Sequence, residues 1–388
     1  MKKGWEMKTL GDVCDKASSN VSQNQLDKED GIYPIFGASG LIKNVSFCHQ
    51  KSPYFSIVKD GSGVGRVTKM DANTSVIGTL QYILPKENVD LNYLYYSLIS
   101  IDFKKYVAGA AIPHIYFKDY KDEPFLWMPL SEQKYIAAIL NKAFAAIDKA
   151  KAIAQRNLQN AKELFESYLQ GVFGNNGEGW EEKSLEQVTT KIGSGATPKG
   201  GNQSYKTKGI SLIRSMNVHD RFFKEKKLAF IDDYQAKELN NVTVHEGDVL
   251  LNITGASITR CCVVPNCYLP ARVNQHVSII RPKKEIIDAS FLNLLLTCKV
   301  YKDQLIFTGE QGATRQALTK VQLENFLIYF PSLKVQKAIV QKLDALSTET
   351  QKLEAIYQKK LNDLEELKKS ILQKAFSGEL KTKGIINA

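Results

Sequence analysis

Two glycine-rich segments carry side chains suited to contact a phosphate or the edge of a nucleobase. Residues 59–66 read Lys-Asp-Gly-Ser-Gly-Val-Gly-Arg, and residues 254–260 read Thr-Gly-Ala-Ser-Ile-Thr-Arg. Glycine lets a backbone approach a phosphate closely, and a hydroxyl group or a terminal arginine adds hydrogen-bond donors. The candidates for such contacts are Lys59, Ser62, Arg66, Thr254 and Arg260. An ordinary glycine-rich hairpin turn is the alternative interpretation of both segments.

Other amide, guanidinium and imidazole side chains in predicted loops could read base edges. Asn and Gln can bond an adenine edge through two hydrogen bonds, and Arg can do the same with guanine. The candidates for base contact are Gln81, His114, Arg214, Asn217, Gln275, His276, Arg315 and Gln316. The candidates for phosphate contact are Lys118, Lys199, Lys206 and Lys208. A surface or structural role is the alternative for each of them.

Motifs for catalysis and metal binding are missing from the sequence. No Gly-x-x-x-x-Gly-Lys-Ser/Thr loop occurs, and the spacing of Gly61, Gly63 and Gly65 is not that of a dinucleotide fingerprint. No aminomethyltransferase motif of the Asn-Pro-Pro-Tyr type occurs either. The Cys262–Cys267–His276 spacing is not a regular zinc pattern. We therefore predict no catalytic residue, no metal site and no bound cofactor in this chain.

The elements that must position these residues occur twice along the chain. Residues 4–13 return as residues 179–188, and residues 129–134 return as residues 331–337. Each half is rich in short β-branched and aromatic runs between turn signals, followed by a long stretch without proline. We predict an α+β protein with four segments: a globular mixed α/β domain over residues 1–128, a central helical spacer over 129–178, a second domain over 179–330 and a C-terminal helical spacer over 331–388.

The two spacers are each predicted to be one long helix, over residues 130–173 and 334–376. Both helices fit a heptad pattern, with larger residues in the second seam and many alanines in the first. The predicted seam consists of Leu140, Ile147, Ala154 and Leu164 in the first helix and Leu343, Leu346, Leu353, Leu364, Leu367 and Ile371 in the second. We expect an antiparallel coiled coil with pseudo-two-fold symmetry. The alternative is that each helix lies only on its own domain.

Composition limits the partners of the chain. Its 388 residues carry a net charge of +11, and 43% of them are hydrophobic. Excess positive charge favours a polyanion, and a two-fold repeat suits double-stranded DNA with a split target site. No apolar run approaches the length of a membrane span, and the six cysteines form no regular framework. We therefore predict a cytoplasmic protein with reduced thiols and no membrane partner.

The order and repetition of several short blocks resemble a known family. Residues 129–133 (Pro-Leu-Ser-Glu-Gln) are similar to the Pro-x-x-Glu-Gln entry into each of its long helices, and residues 367–380 resemble the usual end of such a helix. In the second domain, Gly195-Ala196-Thr197-Pro198, Met216-Asn217-Val218, Asn274-Gln275 and Gly312-Ala313-Thr314-Arg315 resemble blocks of its recognition domains. The family is that of specificity (S) subunits of Type I restriction–modification systems. The second helix departs from the pattern, because Lys334-Val335-Gln336 replaces Glu-Gln.

The resemblance implies a function and a set of partners. Each domain would read one half of a bipartite, asymmetric DNA target, and the helix pair would set the gap between the half-sites. Methylation subunits, two of them, would use S-adenosylmethionine, and a restriction/translocase subunit would use ATP and Mg. One alternative is a non-catalytic DNA-binding scaffold or regulator outside restriction. Another is a nuclease or methyltransferase, which the missing motifs disfavour.

Overall fold

The chain folds into two compact units. The computed structural model describes residues 4–109, 111–175, 177–310 and 317–379. Unit 1 contains residues 1–155 and 358–388, and unit 2 contains residues 156–357. Each unit therefore combines one globular region with parts of two long helices.

Unit 1 is built from short strands and three short helices before the first long helix. Its strands are β1 (Glu6–Thr9), β2 (Cys14–Ser18), β3 (Tyr33–Gly37), β4 (Gly40–Val45), β5 (Tyr54–Val58), β6 (Val67–Met70), β7 (Ser75–Val76), β8 (Leu80–Pro85) and β9 (Pro124–Trp127). Its short helices are α1 (Leu10–Val13), α2 (Leu91–Ser100) and α3 (Phe117–Tyr120). The strands form an antiparallel sheet in the order β2-β8-β5-β6, a sheet β4-β3-β7 and a pair β1-β9.

Unit 2 repeats this plan with additional strands. Its strands are β10 (Glu181–Ser184), β11 (Thr189–Ser194), β12 (Ile210–Ile213), β13 (Val218–His219), β14 (Phe222–Phe223), β15 (Ala229–Ile231), β16 (Thr243–Val244), β17 (Val249–Asn252), β18 (Cys261–Val263), β19 (Ala271–Val273), β20 (Val277–Pro282) and β21 (Leu327–Phe330). Its short helices are α5 (Leu185–Val188), α6 (Asp233–Glu238), α7 (Ala289–Thr297), α8 (Lys299–Glu310) and α9 (Lys320–Glu324). The sheet β11-β20-β17-β18 has the same order as the main sheet of unit 1.

Two helices of 44 residues each complete the fold, α4 (Leu130–Phe173) and α10 (Leu333–Phe376). Helix α4 begins directly after Pro129 and α10 begins two residues after Pro331; a proline lacks the N–H group that a position inside a helix would need. The end of α10 is closed at Gly378, which has a φ of +79°, by a bond from the Glu379 nitrogen to the Lys374 carbonyl at 3.0 Å. The predicted α+β class, with two mixed domains and two long helices, is confirmed.

In unit 1 the first part of α4 runs antiparallel to the last part of α10. Lys151 pairs with Glu365, and Asp148 pairs with Lys368 at 3.5 Å, so ascending numbers on one helix meet descending numbers on the other. Both pairs lie beside a shared core, which contains Leu140, Phe144 and Ile147 from α4 and Leu372 and Ala375 from α10. The same core contains α2 and the sheet of unit 1. The helices therefore pack against each other and against their domain together.

Unit 2 has the corresponding arrangement with the other helix parts. Phe165, Leu169 and Phe173 of α4 and Leu343 of α10 belong to one core with α7 and β17. Because these helix faces cover a domain as well as each other, the buried stripe is wider than a coiled-coil seam. This is why residues outside the heptad a and d positions, such as Phe165 and Leu169, are buried.

The ten residues of the predicted seam differ in exposure. Leu140, Ile147, Ala154 and Leu343 are buried. Leu346, Leu364 and Ile371 are half-buried and pack against the cores of their units. Leu164, Leu353 and Leu367 lie on the exposed side of their helices, at 48, 37 and 47% exposure. A straight helix has 3.6 residues per turn, so a strict heptad stripe drifts around it, which accounts for positions that leave the buried face.

Candidate nucleic-acid interface

The glycine-rich segment of unit 1 is a tight loop between β5 and β6. The Val58 nitrogen donates to the Arg66 carbonyl at 3.0 Å, and the Gly65 nitrogen donates to the Val58 carbonyl at 2.8 Å. Gly65 has a φ of +85°, and a Cβ atom there would lie 2.5 Å from the Cβ of Phe103. The loop backbone therefore has one defined shape that a larger residue at Gly65 would disturb.

Unit 2 contains the same loop between β17 and β18. The Asn252 nitrogen donates to the Arg260 carbonyl at 2.8 Å, and the Thr259 nitrogen donates to the Asn252 carbonyl at 2.8 Å. Thr259 takes the place of Gly65 and also has a positive φ, of 70°. At one constant offset in the chain, the two loops thus share their main-chain bonds and end in an arginine at the same position.

A second chain segment lies against each loop. In unit 1 the Ile115 nitrogen donates to the Lys59 carbonyl at 2.9 Å. In unit 2 the Leu318 nitrogen donates to the Ile253 carbonyl at 2.9 Å. The loop and its neighbouring segment therefore form one surface in each unit. Two candidates of the neighbouring segment in unit 2, Arg315 and Gln316, lie outside the described residues.

The candidates of unit 1 differ in exposure and in whether their side chains bond to a carbonyl of a distant segment. Ser62 and Lys118 are exposed, and Lys59 and His114 are half-buried beside them. The His114 ring lies 5.0 Å from the ring of Tyr116, over which the Lys118 ammonium group is placed at 5.4 Å. This group of basic and aromatic side chains can contact a phosphate backbone or stack on a base.

Two other candidates of unit 1 are occupied within the protein. The side-chain amide of Gln81 donates to the Ala17 carbonyl across the β2–β8 pair, and Gln81 is only 6% exposed. The guanidinium group of Arg66 donates to the Ala38 carbonyl, between β3 and β4. The side chain of Gln81 thus connects β8 to β2, and that of Arg66 connects its loop to the turn between β3 and β4.

In unit 2 the loop borders a shallow concavity of about 450 Å³. Its lining consists of Ser215, Met216, Thr254, Gly255, Ala256, Ser257, Arg260 and His276. Thr254 Oγ1 and His276 Nδ1 share a hydrogen bond of 2.7 Å, which fixes both side chains at the rim. The structure therefore brings three sequence candidates, Thr254, Arg260 and His276, to one place.

Asn252 supports this concavity and was missed by the sequence analysis. Its side-chain amide donates to the Ser215 carbonyl at 2.9 Å and to Ser257 Oγ at 3.1 Å. Asn252 is fully buried at the end of β17. The one available signal was an asparagine at the end of an otherwise apolar strand, where a buried amide must find partners.

The remaining candidates of unit 2 are spread over other surfaces. Asn217 is fully buried, and its amide donates to the Lys224 carbonyl at 2.9 Å. Arg214 donates to the Lys227 carbonyl and lies over the ring of Tyr205 at 5.3 Å. Gln275 is exposed and accepts a hydrogen bond from Thr197 Oγ1.

The three candidate lysines of unit 2 are all exposed. Lys206 pairs with Asp232 at 3.2 Å, while Lys199 and Lys208 are open to solvent.

His219 is more readily neutral than an ordinary histidine. Burial lowers the pKa of His219 from its ordinary value of 6.5, and the positive charges of Arg260 and Lys224 lower it further. Its ring is stacked on Phe222 with 4.7 Å between centroids.

Cysteines and carboxylates form no obvious reactive centre in the described ranges. No group of three His, Cys, Asp or Glu side chains that could hold a metal ion is found among residues 4–109, 111–175, 177–310 and 317–379. Cys261 and Cys262 are buried in β18, and burial raises the pKa of Cys262 to about 12. Asp220 pairs with Lys302 at 2.6 Å. No helix in these ranges is long and apolar enough to cross a membrane.

Comparisons with known proteins agree on one family. Residues 2–156 and 177–366 match the model of the Type I restriction modification DNA specificity domain. The chain is 26% identical over 415 aligned positions to the Type I restriction enzyme MjaVIII specificity subunit of Methanocaldococcus jannaschii, an alignment that covers 98% of this chain and 94% of the relative.

Two solved structures share the fold. The HsdS subunit from Thermoanaerobacter tengcongensis has a TM-score of 0.61 at 16% identity, with 98% of both chains covered. A chain described under "complex assembly and conformational transition of the type I R-M system" has a TM-score of 0.77 at 17% identity, with 98% of this chain and 99% of that chain covered.

Proposed function

The chain belongs to the family of Type I restriction–modification DNA specificity subunits, and from this we propose that each of its two target-recognition domains reads one half of a bipartite, asymmetric DNA target. It is the non-catalytic component that gives such a system its DNA specificity. The proposal assigns residues 1–128 and 179–330 to the two target-recognition domains, with helical spacers over 129–178 and 331–388.

One observation supports two separate half-sites: the same loop occurs in both units with different side chains. The main-chain bonds from Val58 and Asn252 are equivalent, yet the loop residues differ at most positions. Hydrogen-bond donors and acceptors on side chains determine which base edge is bound. Two domains with the same loop backbone but different loop side chains are therefore expected to read different DNA sequences.

We infer that the helix pair sets the gap between the half-sites. A helix of 44 residues extends about 65 Å at 1.5 Å per residue. Two recognition elements on one side of a duplex enter major grooves about one helical turn apart, roughly 34–36 Å. If each domain reads about 3–5 base pairs, a gap on the order of 5–8 unspecified pairs is expected.

The proposed partner subunits carry out DNA methylation and restriction. We infer two methylation subunits that use S-adenosylmethionine and a restriction/translocase subunit that uses ATP and Mg, acting together on double-stranded DNA in the cytoplasm. The MjaVIII subunit and the chain with the TM-score of 0.77 belong to Type I systems by their own descriptions. The proposal is that this chain directs such subunits to their target.

A domain exchange tests the division of labour. Residues 15–125 are replaced by the matching segment of a related subunit, and the exchanged chain is produced with its methylation subunits in a host without other adenine methylation. Sequencing of the methylome should show one changed half-site and one unchanged half-site. The reciprocal exchange within residues 189–325 serves as the control and should change the other half-site.

The same experiment can refute the proposal. One continuous target, or a change in both half-sites after a single exchange, contradicts independent reading by the two domains. An insertion of two helical turns, in register, into both α4 and α10 should lengthen the gap and leave both half-sites unchanged. A gap that stays constant would remove the spacing role of the helices.

A further inference from the structure

The equivalent arginines of the two loops have different surroundings. Arg66 and Arg260 hold the same position, because their carbonyls accept the bonds from Val58 and Asn252. The guanidinium group of Arg66 is bound to the Ala38 carbonyl of its own unit. In the described part of unit 2, the guanidinium group of Arg260 has no hydrogen-bond or ion-pair partner. One arginine therefore stabilises its loop, and the other is available to a ligand.

Main-chain hydrogen bonds fix the backbone of Arg260. Its backbone is bonded on both sides, through its carbonyl to Asn252 and through its nitrogen to the Ser257 carbonyl at 3.2 Å. The buried amide of Asn252 fixes Ser257 and Ser215 on either side of it. A backbone fixed in this way need not be ordered when a ligand binds, so only the side chain loses freedom, which favours directional recognition.

The lining of the concavity favours a base edge over a phosphate. Arg260 is the one permanently charged side chain among the lining residues, and the others are hydroxyl groups, an imidazole, small loop residues and Met216. Met216 is 39% exposed and supplies an apolar surface beside the guanidinium group. Hydroxyl groups serve phosphates and base edges alike, so the deciding features are the single permanent charge and the apolar side chain of Met216, which can pack against a base.

We propose that Arg260 reads a guanine in the half-site of the second target-recognition domain, while Arg66 is a structural residue of the first. A guanidinium group can donate two parallel hydrogen bonds to guanine O6 and N7 in the major groove. Lysine presents no planar fork of this kind and acts as a point charge. The inference rests on the proposed function, since it presumes that this domain reads a half-site of its own.

Modified DNA provides the decisive measurement. The wild-type chain is assembled with its methylation subunits, and its affinity is measured for duplexes in which each guanine of the second half-site is replaced in turn by 7-deazaguanine, which lacks the N7 acceptor. At one position the replacement should weaken binding roughly 3- to 10-fold, about the effect of one of the two bonds of a bidentate base contact. With the Arg260→Ala variant, the same replacement should leave affinity unchanged, because the donor is gone. The Arg66→Ala variant is the matched control and should retain the wild-type response at that position.

The outcomes separate this inference from the proposed function. If no guanine of the second half-site responds in the wild-type complex, Arg260 does not read guanine, whatever the variants do. If Arg260→Ala weakens binding to all sequences equally and lowers the salt slope by about one, while Arg260→Lys, which keeps the charge, leaves the slope unchanged, Arg260 contacts a phosphate and the inference is wrong. Both results leave two half-sites intact. The proposed function itself is contradicted by a methylome with one continuous target, or by a change in both half-sites after a single domain exchange.

Discussion

The side-chain oxygen of Gln336 accepts a hydrogen bond from the backbone nitrogen of Asp288 at 2.8 Å. The amide nitrogen of Gln336 donates to the carbonyls of Ile286 and Pro331, at 3.0 and 2.8 Å. Gln133 makes the same three bonds in unit 1, to Asp90, Asn88 and Met128. Both glutamines are fully buried. Each therefore joins the first turn of a long helix to the loop before a short helix of its domain.

Replacement of Gln336 by Leu should destabilise unit 2 strongly. One buried and two partly buried backbone groups would lose their partner, at a cost of roughly 2–4 kcal/mol. Hydrogen exchange followed by mass spectrometry should show faster exchange in the peptides around residues 286–297 and 333–343. Gln341→Leu, at an exposed position of the same helix, is the control and should change exchange little. Equal protection in both variants would show that the glutamine bonds contribute nothing.

Alanine replacements of two leucines in the predicted seam should lower the free energy of unfolding by different amounts. Leu343 is fully buried, and Leu343→Ala should cost about 3 kcal/mol because it leaves a cavity. Leu353 is 37% exposed, and Leu353→Ala should cost less than about 1 kcal/mol. Chemical denaturation of both variants gives the comparison. Similar losses at the two positions would mean that Leu353 is buried by a contact that this structure lacks.

Loss of the Asp248–Arg281 ion pair in unit 2 should lower the free energy of unfolding, because the charge of Arg281 is left unpaired. Asp248 is fully buried and binds Arg281 through two bonds, of 2.7 and 2.8 Å. Asp248→Asn removes the charge that compensates Arg281 and should cost about 3 kcal/mol. Asp303→Asn makes the same chemical change in an exposed pair with Lys299 and should cost less than about 1 kcal/mol. Thermal unfolding of the two variants checks the difference.

Unit 2 should lose stability in mild acid through His219. The folded pKa of His219 is lowered, chiefly by burial, so the unfolded chain binds a proton more readily than the folded chain. The loss therefore begins as the pH falls below the ordinary value of 6.5 and grows as it falls through the folded value. His219→Gln should unfold with a smaller difference between pH 7.5 and pH 5.5. An unchanged difference would assign the acid sensitivity to other groups.

Much of the fold could be predicted because it follows from local patterns. Helix α4 ends at Phe173 in both the prediction and the structure, since a long proline-free run ends at glycine 174. Gln336 shows a limit of such patterns. The sequence around it departs from the repeat by one residue after the proline, yet the side chain occupies the same place as Gln133.

The candidate site was less predictable because exposure depends on tertiary packing. Gln81, Asn217 and Arg66 have the right chemistry for base contact, but neighbouring carbonyl groups use their donors. The sequence alone could not distinguish Arg66 from Arg260, because both arginines end similar loops. That difference depends on whether a carbonyl from a distant turn, here Ala38, lies within reach.

The shared loop also bears on how such a protein can change over generations. Its shape depends on main-chain bonds and on two positions with positive φ in each loop, Gly61 and Gly65 in unit 1 and Gly255 and Thr259 in unit 2. Exposed residues between them, such as Ser62 and Ala256, do not determine that shape. Point mutations there can alter recognition with little penalty in folding, and recombination between the repeats would join compatible backbones. A lineage under attack by new invading DNA could therefore acquire new targets in single steps.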